Sequence, residues 1–345
     1  MFEAAIISRE MALTNLLSFF VFPVIVLLHL KIEERNDVIG INDSNIMKGI
    51  AAIFIFLAHF YNRLSGRTNI GIGKMWLYMG GVGVCLFFFL SGYGLNRSDS
   101  IEKPGFIVKR TKNVLIPFVI TRSACFLIDS SLWGKGFSFF MEYVLGIQEP
   151  LWFVTVILLI YIGYYFCYKL FGRRRLNVSV ALYNVGIGIL FWALGANPRW
   201  YNAHLLFSAG MIIADHNDAV ISVLKKYGWW LCNGVFGSGF LLFSALFSMN
   251  KDSLGGVALK LTSGVFVCLL FMNIFLKVRL RSNIMKWVGK NSLLFYVIHL
   301  QVLRSPSING VEDKWFLPAG LLATVICVLS YELVKKHVRR NVTKR

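Results

Sequence analysis

The chain has 345 residues, 57% of them hydrophobic and only 15% charged, with a formal net charge of +19 and a mean hydropathy of +0.64. A soluble domain of this length cannot bury so much apolar surface, so the composition points to a polytopic membrane protein. The basic residues fall mostly in short loops between apolar runs, which makes the charge a report on topology rather than on nucleic acid. Six cysteines are scattered singly, a pattern that suggests neither a zinc site nor a disulfide framework.

Eleven apolar runs are long enough, or nearly so, to span a bilayer. They lie at about 11–30, 45–63, 75–95, 113–132, 151–171, 176–194, 201–214, 227–249, 255–277, 284–304 and 316–335. The expected fold is all-α, a polytopic transmembrane bundle of about eleven helices. The first run lacks a basic leader and a small-residue cleavage site, so it reads as a retained helix rather than a signal peptide. The seventh is short for a span. No internal repeat is visible, and no polar stretch is long enough for an appended soluble domain.

The odd-numbered connections and the C-terminal tail hold most of the 36 Lys and Arg residues, including Arg97, Lys103, Lys109, Arg110, Lys112, Arg173–Arg175 and the tail from Lys335. By the positive-inside rule these face the cytoplasm, with the N-terminus outside. A multi-pass protein of the cell membrane is expected, in contact with lipid and with no nucleic-acid partner.

The second run, NIMKGIAAIFIFLAHFYNR, carries Lys48 near one end and His59 near the other. At about 1.5 Å per residue they lie roughly 16 Å apart along a helix. Ionisable groups in a hydrocarbon layer are costly and mark functional sites by default. The competing reading is that Lys48 snorkels to the interface and His59 bonds a neighbouring helix. In the expected topology Lys48 is cytoplasmic, while His59 and His299 share an outer depth. Arg122 falls near the middle of the fourth run, and Glu149 and Trp152 stand at the outer start of the fifth. Ser91 and Tyr93 reach the basic loop 97–112.

Lys48-x10-His59 resembles the R/K-x10-H signature of the acyltransferase-3 family of integral membrane acyltransferases. Four further stretches are similar to family segments, in family order. These are GVGVCLFFFLSGYGL (81–95), FIVKRTKNVLIPF (106–118), PLWFVTVILLIY (150–161) and VGKNSLLFYVIHLQVL (288–303). The resemblance covers about 45–305. It implies a ten-helix acyltransferase core over 45–345, with residues 1–44 as an additional N-terminal helix and cytoplasmic loop. It also implies transfer of an acyl group, usually acetyl, from acyl-CoA as co-substrate to a hydroxyl of a surface glycan or lipid-linked sugar. No permanently bound cofactor and no metal is expected. The chain departs from the pattern at Lys48, where many relatives have Arg, at Asn113 and at Pro150.

Residue roles follow from this resemblance and from chemistry. Transfer to a hydroxyl needs a base, and histidine titrates near the working pH. His59 is the candidate base, with Lys48, His299 and Glu149 as partners in the catalytic set. The phosphates of CoA need fixed cations, for which Arg97, Arg110 and Lys112 are candidates, with Ser91 and Tyr93 lining the donor's entry. Trp152 and Arg122 are candidates for acceptor binding. The alternatives are a purely topological role for the loop cations, helix packing at Ser91–Tyr93, interfacial anchoring by Trp152 and pairing of Arg122 within the bundle. Two whole-chain rivals stand beside this reading. A transporter or flippase often carries an inverted repeat, and a glycan polymerase is expected to carry a large basic external loop.

Overall fold

A computed structural model describes residues 9–27, 30–33, 39–128, 134–145, 152–251, 253–305, 308 and 310–342. Each of the eleven apolar runs contains helix among its described residues. The first comprises α1 (Arg9–Leu16), a π-helical turn (Leu17–Val21) and α2 (Phe22–Leu27). Then come α3 (Ile41–Leu64), α4 (Lys74–Asn96), α5 (Phe106–Ile128), α6 (Gly136–Leu145), α7 (Trp152–Phe171) and α8 (Leu176–Ala193). The remainder are α9 (Leu206–Asp215), α10 (Asn217–Tyr227), α11 (Trp229–Met249), α12 (Leu254–Lys277), α13 (Asn283–Lys290), α14 (Ser292–Val302) and α15 (Asp313–Val342). Among the described residues, the only strands are β1 (Leu30–Ile32) and β2 (Val278–Leu280), paired antiparallel. Among the described residues, seven helices are long and apolar enough to cross a membrane, and the chain is an all-α polytopic bundle.

Three details differ from the hydropathy reading. Helix α6 lies in what reads as a connection, because ten residues fall short of the span criterion. Helix α10 is an amphipathic piece ending in Lys225 and Lys226, also hidden inside a connection. The tenth run is broken at Asn291 into α13 and α14. The Asn291 amide donates to Trp287 O at 3.2 Å and to Glu332 Oε1 at 2.9 Å, which fixes the break from outside the helix.

Helix α3 is the centre of the bundle. Of its apolar window 72% is buried, against 6% for α11, which leaves α11 to face lipid. Its first turn is closed by Gly40 N–H donating to the Asp43 carboxylate at 3.1 Å, with Asp43 itself at the favourable end of the helix dipole. Without hydrophobic drive between helices in lipid, small residues that let backbones approach supply the packing. Gly49 lies against the Met285 carbonyl, Gly289 against the Asn45 carbonyl, and Gly83 against the Ala51 carbonyl, so α13 and α4 both meet α3 backbone to backbone. The α4–α9 crossing repeats the device, with Gly92 on the Phe207 carbonyl and Gly210 on the Phe89 carbonyl. The N-terminal helix joins this core through polar groups. The Tyr61 hydroxyl donates to Asn15 Oδ1 at 2.9 Å and shares a 2.7 Å hydrogen bond with Ser18 Oγ, to which Trp76 Nε1 also donates.

The connections sort to two ends. β1 pairs with β2, which joins the first connection to the ninth. There Arg279 and Lys31 hold the half-buried Glu33 carboxyl below the usual range, mainly through the 2.7 Å hydrogen bond from Arg279. Asn96 donates to Asp215 Oδ1 at 2.6 Å, Asn177 donates to Asp215 Oδ2 at 2.6 Å, and Arg173 donates to the Asn96 carbonyl, which brings the third, fifth and seventh connections together. At the other end Arg67 of the second connection pairs with Asp313 of the tenth at 3.5 Å.

If backbone contact at α3 holds the bundle, Gly49→Leu or Gly289→Leu should exceed the usual overpacking cost of about 1–3 kcal/mol. Gly94→Leu, on the same scaffold with open space around it, should be neutral. Thermal unfolding in detergent checks this, and equal melting temperatures for all three variants would contradict it.

Candidate active site

Lys48 and His59 both lie on α3. Eleven steps of about 100° come back to within roughly 20° of the starting direction, three turns further along. The two side chains therefore share one face of the central helix and point to its opposite ends. The R/K-x10-H spacing is thus a geometric device, because one residue more or less would swing the histidine off that face.

At the His59 end, the ring of His59 stands 5.4 Å from that of His299 on α14, centroid to centroid, tilted by 45°. His299 is fully buried. Its Nδ1 lies 2.8 Å from the Phe295 carbonyl, which can only accept, so Nδ1 carries the proton. Nε2 then offers a lone pair, and it has no partner among the described residues. His59 itself lines a cavity of about 420 Å³ with Asn62, Arg63, Gly66, Leu300, Leu303 and Arg304. Of the histidine pair, His59 faces this cavity and His299 backs it.

At the Lys48 end, Lys48 is half-buried and close enough to Arg110 for their charges to act on each other. Neither forms an ion pair with a carboxylate among the described residues. Arg110 lies 5.6 Å from the centre of the Phe106 ring and, with Arg173, acts on the buried Tyr164 hydroxyl. Arg97 donates to the Tyr93 hydroxyl at 3.0 Å, and that hydroxyl donates to Asn217 Oδ1 at 2.8 Å. Tyr93 and Arg97 therefore stitch α4 to the start of α10. Gly92 is a packing residue, Ser91 is half-buried, and Lys112 is exposed.

The remaining candidates separate from these two groups. Arg122 is 1% exposed, donates to the Tyr143 carbonyl from Nε at 2.8 Å and from Nη2 at 2.5 Å, and stacks 3.6 Å from the Tyr143 ring centre. Tyr143 in turn donates to Gln301 Oε1 at 2.7 Å, two residues from His299. Arg122 thus caps α6 and ties it to α14. Trp152 packs edge-on to Phe153, whose ring contacts Tyr296. Glu149 lies outside the described residues.

A family model described as an acyltransferase domain, acyltransferase-3, matches residues 41–333 and so spans both ends of this site. The chain belongs to the acyltransferase-3 family. It is a multi-pass membrane acyltransferase. Searches of the curated proteins and of the solved structures return no match.

In this acyltransferase some of the groups near the histidines escape motif reading. Asn62, Arg63 and Arg304 line the cavity, and Arg199 joins Arg63 and Arg304 in acting by charge on His59. The helical period carried a signal for one of them, since Arg63 follows His59 by four residues and shares its face. Arg173 at the other end reads as a topology charge, yet it bonds Asn96 and acts by charge on Tyr164.

The placement of Arg122 predicts a structural phenotype. Arg122→Met should leave the Tyr143 carbonyl unsatisfied and cost about 1–3 kcal/mol of stability, with CoA affinity unchanged. An unaltered melting temperature together with weaker acceptor binding would return Arg122 to the substrate.

Proposed function

We propose that the protein moves an acyl group, acetyl in the simplest case, from acyl-CoA at the Lys48 end to a hydroxyl of a glycan or lipid-linked sugar at the His59 end. The observation that carries this is the shared face of α3, with the neighbouring cations Lys48 and Arg110 at one end and a histidine-lined cavity at the other. Lys48 and Arg110 offer the fixed positive charge that the phosphates of CoA require. Arg173 extends that charge toward Tyr164. Lys48 and His59 are separated by roughly 16 Å of helix. The pantetheine arm would bring the thioester along that distance, toward the histidines.

The acceptor hydroxyl then enters the cavity and gives its proton to His59 as its oxygen attacks the thioester carbonyl. The C–O bond forms, the C–S bond breaks, and the CoA thiolate leaves, taking a proton to become the free thiol. His299, with Nδ1 tied to Phe295 O, would hold the neighbouring ring and offer Nε2 to the acceptor or to His59. In this reading the Lys48 end faces the cytoplasm, supported by the basic connections that gather there. The C-terminus would lie on the same side and the N-terminus outside.

His59→Gln keeps a hydrogen-bonding side chain and removes the titratable nitrogen. It should accumulate to wild-type levels, bind CoA normally and lose about 10²–10⁴-fold in turnover. A variant that keeps more than about a tenth of wild-type turnover removes His59 from the role of base.

A further inference from the structure

His204 belongs to neither end of the α3 face, yet it is only 1% exposed. It stands between the short helical turn Pro198–Trp200 and α9. Its ring lies flat on α8 at Gly188, where a Cβ would come within 3.1 Å of Cε1. Nδ1 is 3.0 Å from the Tyr201 carbonyl, and Nε2 is 2.6 Å from the Asn184 carbonyl. Both carbonyls can only accept. A neutral imidazole has one N–H and one lone pair, so it satisfies one of these contacts and turns a lone pair toward oxygen in the other. The imidazolium donates to both. The surroundings add acceptors rather than donors. Asn184 is fully buried, its amide donates to Ser208 Oγ at 2.8 Å, and its Oδ1 has no partner among the described residues. The same turn carries Arg199, which acts by charge on His59. Asn197 closes the turn by accepting from Arg199 N at 3.1 Å, and Trp200 packs edge-on against Phe191 of α8.

We infer that His204 is a proton-operated latch, which ties the turn to α8 and holds Arg199 beside the His59 site when both of its ring nitrogens carry protons. Loss of one proton leaves a lone pair facing a carbonyl at hydrogen-bond distance, and that contact opens. His204 is a positioning residue, acting on the site through Arg199 and touching no substrate. The titratable groups on the surrounding elements are Tyr161 on α7, Tyr183 on α8, Arg199 and Tyr201 in the turn, and Asp215 at the far end of α9. The Tyr183 hydroxyl is committed to the Leu159 carbonyl at 2.9 Å. Among the described residues no charged side chain acts on the His204 ring. Burial works against its charge and the two carbonyls work for it, which sets the ring to change state with pH rather than to keep one form. The sign follows from the contacts. The latch is closed under acidic conditions and opens as pH rises through the titration of the ring. In the proposed topology this turn is external, so the pH outside the cell sets the latch.

The test uses the purified full-length protein in detergent, labelled with nitrogen-15 in histidine and followed by NMR from about pH 5 to about pH 8.5, the range in which histidine titrates. His204→Gln identifies the His204 ring signals, and His59→Gln those of His59. Under acidic conditions both His204 nitrogens should be protonated, and one should lose its proton as pH rises. Backbone hydrogen exchange in residues 198–205, corrected for the intrinsic effect of pH, should quicken about fivefold or more through the same midpoint, as local opening becomes easier. In His204→Gln that exchange should be fast at every pH. The His59 ring signal should show an inflection at the His204 midpoint, and Arg199→Gln should abolish it. A His204 ring that stays neutral wherever the protein is folded overturns the inference, and so does the same pH-dependent exchange in His204→Gln. A His59 signal that ignores the His204 midpoint, or keeps its inflection in Arg199→Gln, overturns the coupling through Arg199. If His204→Gln does not fold, Gly188→Ala, whose Cβ presses on the ring, assigns the signal, and the wild-type exchange must then share its midpoint. None of these readouts uses turnover, so their failure and the failure of His59 as base are told apart.

Discussion

Backbone-to-backbone contact along α3 is the constraint on which the rest of the molecule depends. Gly49 under the Met285 carbonyl and Gly289 under the Asn45 carbonyl leave no room for a side chain between α3 and α13. Gly83 does the same on the α4 side. A helix gripped on two faces in this way cannot rotate without a clash. Its third face, carrying Lys48 and His59, is consequently fixed in direction. The catalytic proposal needs that rigidity, because a base displaced by an ångström loses much of its effect.

The two ends of that face are chemically different. Near Lys48 lies Arg110, which acts on Tyr164 together with Arg173, and Arg173 leads through Asn96 into a set of hydrogen bonds among Tyr93, Asn96, Asp215 and Asn217. That mesh joins connections far apart in sequence and makes the end stiff. Around His59 lie a second histidine, an apolar wall and a set of arginines bordering open space. The first suits a large polyanionic donor docked on a rigid surface, and the second suits a smaller acceptor that enters and leaves. The link between α6 and α14, through Arg122, Tyr143 and Gln301, braces the helix carrying His299 from behind.

Much of this was legible in the sequence, because hydropathy and the Lys48-x10-His59 spacing are both periodic signals. Each of the eleven apolar runs contains helix among its described residues, and the family match over 41–333 spans the motifs at 45–63, 81–95, 106–118, 150–161 and 288–303. What escaped has physical reasons. Helices α6 and α10 are too short to register as spans. The break at Asn291 sits within a run where a side-chain interaction with Glu332, remote in sequence, decides the geometry. Arg63 and Arg304 stand at helix ends, where a cation is expected on topological grounds alone, so nothing local distinguishes them from anchors. Arg122 carries a clear signal, an arginine inside an apolar run, but its partner is a carbonyl of α6, and carbonyls leave no mark in a sequence.

The central claim is that donor and acceptor meet from opposite ends of α3. The most direct test is vectorial transfer in sealed proteoliposomes containing oriented protein, with radiolabelled acetyl-CoA on one side and the acceptor sugar on the other. The account predicts labelled acceptor only when acetyl-CoA is on the side of the Lys48 end and the sugar on the side of the His59 end. Transfer that requires both substrates on the same side would contradict it.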